Sequence, residues 1–371
     1  MKIGILTQPL GHNYGGILQN YALQRVLTNL GHKPMTIKHH GLKKLISLKH
    51  NLYAIAAYII KNIIRHPTRQ FNQLPWDSRP YGNMIKFVRK NIERTKFQPE
   101  ISDRTFAKYG FDAIFVGSDQ VWRPKYNGEY LKYMFGDFSC QKYAPALIAY
   151  AASFGCCKWE YSPDETKKAK HFIKKFKCVS VREDSAVELC RKYLDTQATH
   201  VLDPTLLLDA KDYNSLIPQR LLQKFPDEFV GVYILDLTDH KKEIIDQICH
   251  FIGKQPYYFG EIDSKTGQYQ SVELWLGSIN RSSFIITDSF HGTAFSINYR
   301  KPFISIINHD RGADRFSSLL RMVGLEERMI EEENLQILPS LVKTPINWDS
   351  VTDKLDALRS KSMGFLSSNL T

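Results

Sequence analysis

The stretch Ile285–Ala294 (IITDSFHGTA) contains a strand-to-helix turn from which the fold class can be predicted. A short apolar strand ends near Thr287, and Ser289 and His291 follow at once, at a turn where a helix begins. A buried strand that leads directly into a helix is the repeating unit of a parallel sheet. We therefore predict an α/β fold, in which polar side chains beyond the carboxyl ends of the strands bind the ligand.

The same alternation of strands and helices extends outward from this stretch in both directions. After Asp203-Pro204, we predict strands at Phe229–Leu235, Pro256–Phe259, Ser283–Thr287 and Phe303–Ile307, with helices at His240–Ile252, Val272–Ile279 and from His291. Before it, we predict strands at Lys2–Thr7, Pro34–Lys38, Ala113–Val116, Leu147–Ala151, Cys178–Val181 and Thr199–Val201, with helices at Gly16–Asn29, Asp164–Lys175 and Asp184–Tyr193. Two such sets predict two doubly wound, Rossmann-like domains facing a cleft: residues 1–208 and 209–345, followed by a C-terminal helix or tail at 346–371.

Composition narrows the class of protein. With 371 residues, of which 43% are hydrophobic, the chain is long enough for two cores. Its six cysteines show no Cys-x-x-Cys spacing, so we expect neither a metal site nor a disulfide framework. The N-terminus begins directly with a strand pattern and has no secretory signal, so we expect a cytoplasmic protein.

The positive charge is concentrated in one segment. The chain has a net charge of +12, and residues 31–98 contain fourteen Lys and Arg against two acids, which accounts for the whole excess. Within residues 39–98, apolar side chains recur at near-helical spacing between Leu42 and Ile63. Such a segment suits a basic amphipathic helix at an anionic membrane surface, and equally a helix packed on its own domain with a solvated basic face. No aromatic-basic or helix-turn-helix motif supports nucleic-acid binding.

Two polar loops of the first half follow predicted strands. The first ends in Asn13-Tyr14-Gly15-Gly16 and leads into a helix that carries Asn20; paired glycines here allow close approach of a ligand or simply make a tight turn. The second is Gly117-Ser118-Asp119-Gln120-Val121-Trp122, where Asp119 and Ser118 could bind sugar hydroxyls while Trp122 stacks on a ring. The alternative is that Ser118 or Asp119 caps a helix and Trp122 lies in the core.

Cationic groups follow strands in both halves. Arg182 comes directly after Val181 and suits a carboxylate or phosphate, unless a neighbouring acid holds it. His291 stands between Ser289 and Gly292 at a helix start that favours phosphate, which makes it a candidate for proton transfer. Arg315 begins a helical pattern that ends near Gly324, and with Arg311 it is a further candidate anion ligand. We expect these groups to form a cationic crevice between the two sheets.

These motifs together resemble the polysaccharide pyruvyltransferase family. The resemblance rests on five segments in the family's order: Asn13–Gln24, Gly117–Trp122, Ser180–Glu183, Asp203–Thr205 and Ser289–Gly292. It implies two domains arranged as in GT-B glycosyltransferases, with a cleft between them.

The resemblance also implies an activity. Phosphoenolpyruvate is the donor substrate in the family, no other cofactor is needed, and arginines and the histidine of a His-Gly turn hold the donor; these match Arg182 and His291. Many relatives have Arg-Leu-His-Gly where this chain has Ser289-Phe290-His291-Gly292, so Arg315 or Arg311 is expected to replace the missing arginine. Ser153 is the side chain available where some relatives place a polar donor ligand.

From these residues we predict a transfer of the pyruvyl group of phosphoenolpyruvate onto sugar hydroxyls as a ketal. His291 and Asp119 are the predicted catalytic residues. The predicted donor ligands are Arg182, Arg315, Ser289, Gly292 and Ser153, and the predicted acceptor ligands are Asn13, Tyr14, Gly15, Gly16, Asn20, Ser118 and Trp122. The acceptor would be a sugar or lipid-linked oligosaccharide, with peripheral contact to an anionic membrane. The alternatives are a GT-B glycosyltransferase that uses a sugar nucleotide and a non-catalytic protein that binds anions or membranes.

Overall fold

The computed structural model describes residues 1–39, 79–308 and 312–370. Its first sheet consists of β1 (Lys2–Leu6), β2 (Lys33–Thr36), β3 (Ala113–Val116), β4 (Ala146–Ala152), β5 (Phe176–Val181) and β6 (Thr199–His200). These strands are parallel and lie in the order β2-β1-β3-β4-β5-β6.

The second sheet consists of β7 (Val230–Tyr233), β8 (Pro256–Tyr258), β9 (Phe284–Thr287), β10 (Phe303–Ile306) and β11 (Met329–Ile330). It is also parallel, in the order β11-β10-β9-β7-β8. The predicted α/β class with two Rossmann-like units is therefore confirmed. The boundary at residues 208 and 209 stays a prediction.

The helices of the described residues lie between and after the strands. They are α1 (Tyr14–Asn29), α2 (Gly82–Asn91), α3 (Asp103–Tyr109), α4 (Pro124–Asn127), α5 (Leu131–Met134), α6 (Pro163–Ile173), α7 (Asp184–Leu194), α8 (Ala210–Asn214), α9 (Gln219–Leu222), α10 (Asp239–Ile252), α11 (Val272–Arg281), α12 (Phe290–Asn298), α13 (Asp314–Val323), α14 (Leu338–Lys343) and α15 (Trp348–Asn369). Short 3₁₀ turns occur at Arg79–Tyr81, Gly128–Tyr130, Pro204–Leu206, Glu326–Arg328 and Leu335–Ile337.

Local capping explains where the observed helices differ from prediction. Helix α1 begins at Tyr14, two residues earlier than expected, because the Asn13 side chain accepts a hydrogen bond from the Gly16 N–H at 3.0 Å. The glycine pair thus lies inside the first turn of the helix. Helix α7 begins at Asp184, as predicted, with Glu183 as its N-cap.

In each sheet there is a switch point, at which the order of the strands reverses, and the two switch points lie together. In the first sheet the chain order reverses between β1 and β3, and in the second between β7 and β9. Ligands of doubly wound sheets bind at such points, beyond the carboxyl ends of the strands. The loops that follow β1, β3 and β9 are those that carry Asn13, Asp119 and His291.

An apolar cluster connects the two sheets. It contains Ile17 and Leu18 of α1 together with Trp275 of α11 and Phe295 of α12, all fully or almost fully buried. Helix α15 returns from the second unit to the first, where the Leu202 N–H donates to the Ser362 hydroxyl at 3.0 Å. The two units therefore share a core, which fixes the positions of the loops at their facing edges relative to each other.

Most of the basic segment, residues 40–78, lies outside the described residues, including the apolar stretch from Leu42 to Ile63. Among the helices that are described, none combines the length and the apolar character that crossing a membrane requires.

Candidate active site

The Asp203 carboxylate lies at the centre of the candidate site, where side chains from both sheets converge. Its Oδ2 accepts hydrogen bonds from Arg182 Nη1 at 2.8 Å and from the Ser118 hydroxyl at 3.1 Å, and it lies 3.9 Å from His291 Nε2. These three partners follow β5, β3 and β9, so they come from both sheets. The structure thus places the predicted anion ligand Arg182 and the predicted catalytic residue His291 around one buried carboxylate.

Arg182 and Arg315 both contact the Phe290 ring. Their guanidinium carbons lie 4.6 and 5.4 Å from the ring centre, a distance at which cation–π attraction is effective. Burial, together with the nearby Arg182 charge, lowers the pKa of Arg315 to about 10. Phe290 therefore gathers two guanidinium groups that would otherwise repel each other, and this arrangement suits a ligand with two anionic groups.

Carboxylates offset these arginines, which corrects the expectation of a cationic crevice. Asp119 Oδ1 lies 3.5 Å from Arg182 Nη2, Asp203 binds Nη1, and the charge of the buried Glu183 also acts on both arginines. Burial raises the pKa of Glu183, and the Arg182 charge opposes that shift. The carboxylates fix the orientation of the guanidinium groups, so the site consists of paired charges with no large positive excess.

The turn between β9 and α12 positions His291. The Ser289 hydroxyl accepts a hydrogen bond from the Gly292 N–H at 3.4 Å and so caps α12. Burial lowers the pKa of His291 to about 4, and the opposing effects of Asp203 and Asp119 only partly offset it. His291 is therefore neutral at pH 7 as the site stands.

A second buried ion pair stabilises this turn. Lys241 is 2% exposed, and its Nζ lies 2.9 Å from Asp288 Oδ2. The Leu235 N–H donates to Asp288 Oδ1 at 2.6 Å. Asn308 also donates to Asp288 Oδ2 at 3.2 Å. Asp288 directly precedes Ser289, so these bonds connect the turn to the ends of β7 and β10.

The first turn of α1 closes the site from the side of the first sheet. A Cβ at Gly15 would lie 1.9 Å from His291 Nδ1, and one at Gly16 would lie 3.5 Å from Asp119 Oδ2. Only glycine at position 15 allows the helix to approach the imidazole this closely. Asn13, the cap of this helix, is exposed, so it remains a candidate for contact with the acceptor.

Asp119 has the geometry expected of a functional carboxylate. Its φ of +77° lies in the left-handed region, which is rare for residues other than glycine and is often found at functional sites. Its side chain is 14% exposed, whereas those of Arg182 and Asp203 are 1% and 0% exposed. Among the acids around Arg182, Asp119 is thus the more accessible to a substrate hydroxyl.

Trp122 is not the aromatic platform that the sequence predicted. Its side chain is fully buried, its ring stacks on Phe135 with 5.3 Å between centroids, and its Nε1–H donates to the Met134 carbonyl at 2.9 Å. The ring packs in the core of the first unit because its Nε1–H also has a hydrogen-bond acceptor there. Tyr126, four residues later, is 43% exposed, and its hydroxyl is close enough to Arg315 for the two groups to interact electrostatically.

Four further side chains that were predicted to bind a substrate form hydrogen bonds inside the protein. The Tyr14 hydroxyl donates to the Gln270 carbonyl at 2.8 Å, and Asn20 Oδ1 accepts from the Thr36 hydroxyl at 2.8 Å. The Ser118 hydroxyl binds Asp203, and the fully buried Ser153 hydroxyl donates to Glu183 Oε1 at 2.8 Å. Tyr14, Ser118 and Ser153 thus use their hydroxyls inside the protein, whereas the buried Nδ2 of Asn20 forms no hydrogen bond within the described residues. The alternative anion ligand Arg311 lies outside the described residues.

Three buried nitrogen atoms of the site form no internal hydrogen bond, although two of them lie within 4 Å of a carboxylate. Across residues 1–39, 79–308 and 312–370, no hydrogen-bond acceptor is found for Arg182 Nε, Arg182 Nη2 or His291 Nε2. Unsatisfied buried donors are costly, so native proteins rarely retain them without a function. Within the same ranges, no three His, Cys, Asp or Glu side chains are placed to hold a metal ion together. The free donors suit a small anion.

Sequence reasoning did not assign a central role to Asp203 or Glu183. Asp203 entered the prediction only through the family motif Asp203–Thr205, although its position directly before Pro204 and after a strand indicates a residue at the ligand crevice. Glu183 Oε1 accepts hydrogen bonds from the Phe154 and Gly155 N–H groups at 2.9 and 3.1 Å. No local signal reveals this role, because its partners lie about 30 residues away in the chain.

The fold and site define a two-domain α/β protein with GT-B-like architecture. One similar structure is the UDP-GlcNAc 2-epimerase of Neisseria meningitidis bound to UDP-GlcNAc, with a TM-score of 0.51 at 7% identity over 98% of this chain and 99% of that chain. An O-GlcNAc transferase mutant of Thermobaculum terrenum gives 0.47 at 11% identity, over 100% of this chain and 66% of that chain. The sucrose-phosphate synthase of Thermosynechococcus elongatus gives 0.48 at 13% identity, over 100% and 99%.

These low identities show similarity of fold alone. Comparison with the sequences of curated proteins found no match. The model of the polysaccharide pyruvyl transferase family, however, matches residues 13–310. The chain belongs to this family, as the five motifs of the sequence indicate.

Proposed function

We propose that this protein transfers the pyruvyl group of phosphoenolpyruvate to two hydroxyls of a sugar, forming a cyclic ketal and releasing phosphate. One observation carries the proposal: Arg182 and His291, from different sheets, meet at the Asp203 carboxylate with three donor atoms left unsatisfied. Membership of the pyruvyl transferase family supports the same reaction.

The donor is a small molecule with a carboxylate and a phosphate. Arg182 Nε forms no hydrogen bond, and Nη2 forms none beside its 3.5 Å ion pair with Asp119, so this edge of the guanidinium can bind one of these groups. Arg315 approaches Arg182 across the Phe290 ring. Guanidinium forks bind carboxylate and phosphate through two parallel hydrogen bonds. The start of α12, with Ser289 and Gly292, favours the phosphate because the helix dipole is positive there.

The reaction needs a proton donor for the methylene carbon of the donor. Protonation forms an oxocarbenium centre at the second carbon, which a sugar hydroxyl attacks while losing its own proton. Phosphate then leaves with the electron pair of its C–O bond, and a second hydroxyl closes the ring. Of the two hydroxyl protons, one replaces the proton given to the methylene carbon and the other leaves with phosphate.

His291 is the proposed proton-transfer residue. Its pKa of about 4 leaves it uncharged before the donor binds. A multiply charged anion beside the imidazole favours the protonated form, so donor binding would raise this pKa towards neutrality. Asp119, which is the more exposed acid beside Arg182, is the proposed base for the acceptor hydroxyl.

The decisive experiment combines the purified protein with phosphoenolpyruvate and a panel of free and lipid-linked glycans. We expect phosphate release and a glycan mass gain of pyruvate less water. His291→Ala should lower turnover by roughly 10²–10⁴-fold, the usual contribution of an acid–base group. His240→Ala, at an exposed histidine on α10, should behave as wild type. Wild-type turnover by His291→Ala would refute the assignment, and release of nucleotide from a sugar nucleotide would instead favour a glycosyltransferase.

We also propose a cytoplasmic enzyme that acts on a lipid-linked acceptor at an anionic membrane surface. The support is the concentration of the net charge of +12 within residues 31–98. Lys43, Lys44 and Lys49 of this segment lie outside the described residues.

A further inference from the structure

Helix α13 of the second unit is bonded to the loops of the first unit that follow β4 and β5. At its start, Asp314 Oδ2 accepts a hydrogen bond from the Cys157 N–H at 2.8 Å. In its middle, the Ser318 hydroxyl accepts from the Asp184 N–H at 3.0 Å. Near its end, the Arg321 guanidinium forms an ion pair with the Asp184 carboxylate. The helix therefore contacts the first unit along its length.

The contact at Ser318 is the buried one. Ser318 is 1% exposed, whereas the side chains of Asp184 and Arg321 are 43% and 59% exposed. An exposed ion pair contributes little to stability, because water and salt screen it. A buried hydrogen bond is costly to break, because its donor is then left without a partner and without water. We therefore expect Ser318, more than the ion pair, to fix α13 on the first unit.

His200, the last residue of β6, lies between Ser318 and the backbone of Arg182. Its Nε2 is 3.1 Å from the Arg182 carbonyl oxygen and 3.3 Å from the Ser318 hydroxyl. Burial lowers the pKa of His200, so the imidazole is neutral at pH 7 and has one N–H. A carbonyl oxygen only accepts hydrogen bonds, so we place that hydrogen on Nε2. His200 therefore donates to the Arg182 carbonyl beside the Ser318 hydroxyl.

These hydrogen bonds join the two arginines of the donor site. Ser318 follows Arg315 by three residues on α13, so the two side chains lie on the same face of the helix. The guanidinium carbons of Arg182 and Arg315 lie 4.6 and 5.4 Å from the centre of the Phe290 ring. His200 and Ser318 thus connect the backbone of one arginine to the helix that carries the other. The separation of two guanidinium groups determines which dianion can bind both at once.

We propose that His200 and Ser318 are positioning residues that set the separation of Arg182 and Arg315 to fit a donor with both anionic groups on one carbon atom. This inference rests on the proposed function and adds a basis for its donor specificity. In phosphoenolpyruvate, one carbon carries both the carboxylate and the phosphate. In 3-phosphoglycerate, the two groups are one carbon further apart. A fixed separation of the arginines therefore favours phosphoenolpyruvate.

Binding can be measured without turnover, by ligand-observed NMR of phosphoenolpyruvate and of 3-phosphoglycerate with the full-length protein. We expect the wild type to bind phosphoenolpyruvate more tightly. His200→Ala and Ser318→Ala should each weaken its binding by roughly tenfold, the effect of one lost hydrogen bond, and leave the binding of 3-phosphoglycerate nearly unchanged. His200→Gln should keep the preference of the wild type, because its side-chain amide can donate to the same carbonyl.

Ser317→Ala is the matched control, because the Ser317 hydroxyl on the same helix contacts the Ala313 carbonyl and Met329 Sδ of its own unit. This variant should bind both anions as the wild type does. Circular dichroism checks that each variant is folded, and Ser318→Ala, which removes a single oxygen atom, tests the proposal even if His200→Ala does not fold.

The result distinguishes this inference from the proposed function. Wild-type affinity for phosphoenolpyruvate in the folded variants, or an equal loss of affinity for both anions, would overturn the positioning role while leaving the proposed function intact. A wild-type protein that does not bind phosphoenolpyruvate would overturn the proposed function and this inference together.

Discussion

Asp203 is a fully buried carboxylate whose two oxygens hold four donors. Oδ2 binds Arg182 and Ser118, and Oδ1 accepts from the Thr205 N–H at 2.9 Å and the Thr205 hydroxyl at 2.7 Å. Burial by itself would raise the pKa of Asp203, but the Arg182 charge and these hydrogen bonds lower it to about 2. The carboxylate is therefore ionised at neutral pH.

Replacement of this carboxylate should cost both stability and activity. Asp203→Asn keeps the shape of the side chain but leaves the buried Arg182 with a single ion pair, to Asp119 at 3.5 Å, and the weaker influence of the Glu183 charge. We expect the free energy of unfolding to fall by about 3–5 kcal/mol, the usual cost of breaking a buried ion pair. Urea denaturation measures this loss, and the phosphate-release assay should show a parallel fall in kcat/KM.

The matched control for this prediction is an exposed pair. Glu188 and Arg191 of α7 are 65% and 71% exposed, so Glu188→Gln should change stability by about 1 kcal/mol or less. A similar loss for both variants would contradict the central role given to Asp203.

At the level of elements, α1 joins the two sheets through its first turn. Tyr14 contacts the second unit through its hydroxyl and by stacking on Trp275, with 5.5 Å between ring centroids. The next residue, Gly15, lies against the His291 ring. The first turn of the helix therefore lies against both the imidazole and Asp119.

Gly15→Ala tests this contact. Alanine favours helix formation over glycine by about 1 kcal/mol, so local propensity predicts a gain in stability. The Cβ would lie 1.9 Å from His291 Nδ1, so we instead expect a displaced imidazole and a fall in kcat/KM of roughly 10²-fold. Steady-state kinetics and urea denaturation measure the two effects.

Gly364→Ala provides the comparison for Gly15→Ala, because Gly364 lies inside α15 with nothing within 4 Å of its Cβ position. We expect this variant to be more stable by about 0.5–1 kcal/mol and fully active. Full activity of Gly15→Ala as well would show that the close approach is unimportant.

On the scale of the whole molecule, folding buries His39 and His291, two of the histidines in the described ranges, in the neutral form. Burial lowers the pKa values of His291 and His39 to about 4, against 6.5 for an exposed histidine. Between pH 6.5 and 4 the unfolded chain binds protons that the folded protein does not. Stability therefore rises with pH in this window and is lost as the pH falls through it.

This loss can be measured as the change in the free energy of unfolding between pH 7.5 and 5. We expect each of the two histidines to contribute on the order of 1–2 kcal/mol to the decrease. His39→Gln and His291→Gln should each reduce the decrease by that amount. If neither variant changes the pH dependence, these histidines are not buried in the neutral form.

Much of the architecture follows from local pattern. The bounds of β3 were predicted without error, α10 and β9 begin and end within one residue of their predicted limits, and α12 begins one residue before its predicted start. Strand β11 and helices α2 and α3 were not predicted, since short or isolated elements carry little periodic signal.

The sequence by itself determined the alternation of strands and helices, the family, and the positions of Arg182, Asp119 and His291 at strand ends. These features are local, because hydrophobic periodicity and turn chemistry act over a few neighbouring residues.

Only the tertiary structure decided that Asp203 joins these groups, that carboxylates match the arginines, and that Trp122 is core while Tyr126 is exposed. The distances that matter connect residues about 20 to 90 positions apart in the chain. Such pairs are set by packing of the two sheets against each other, and no periodicity along the chain encodes them.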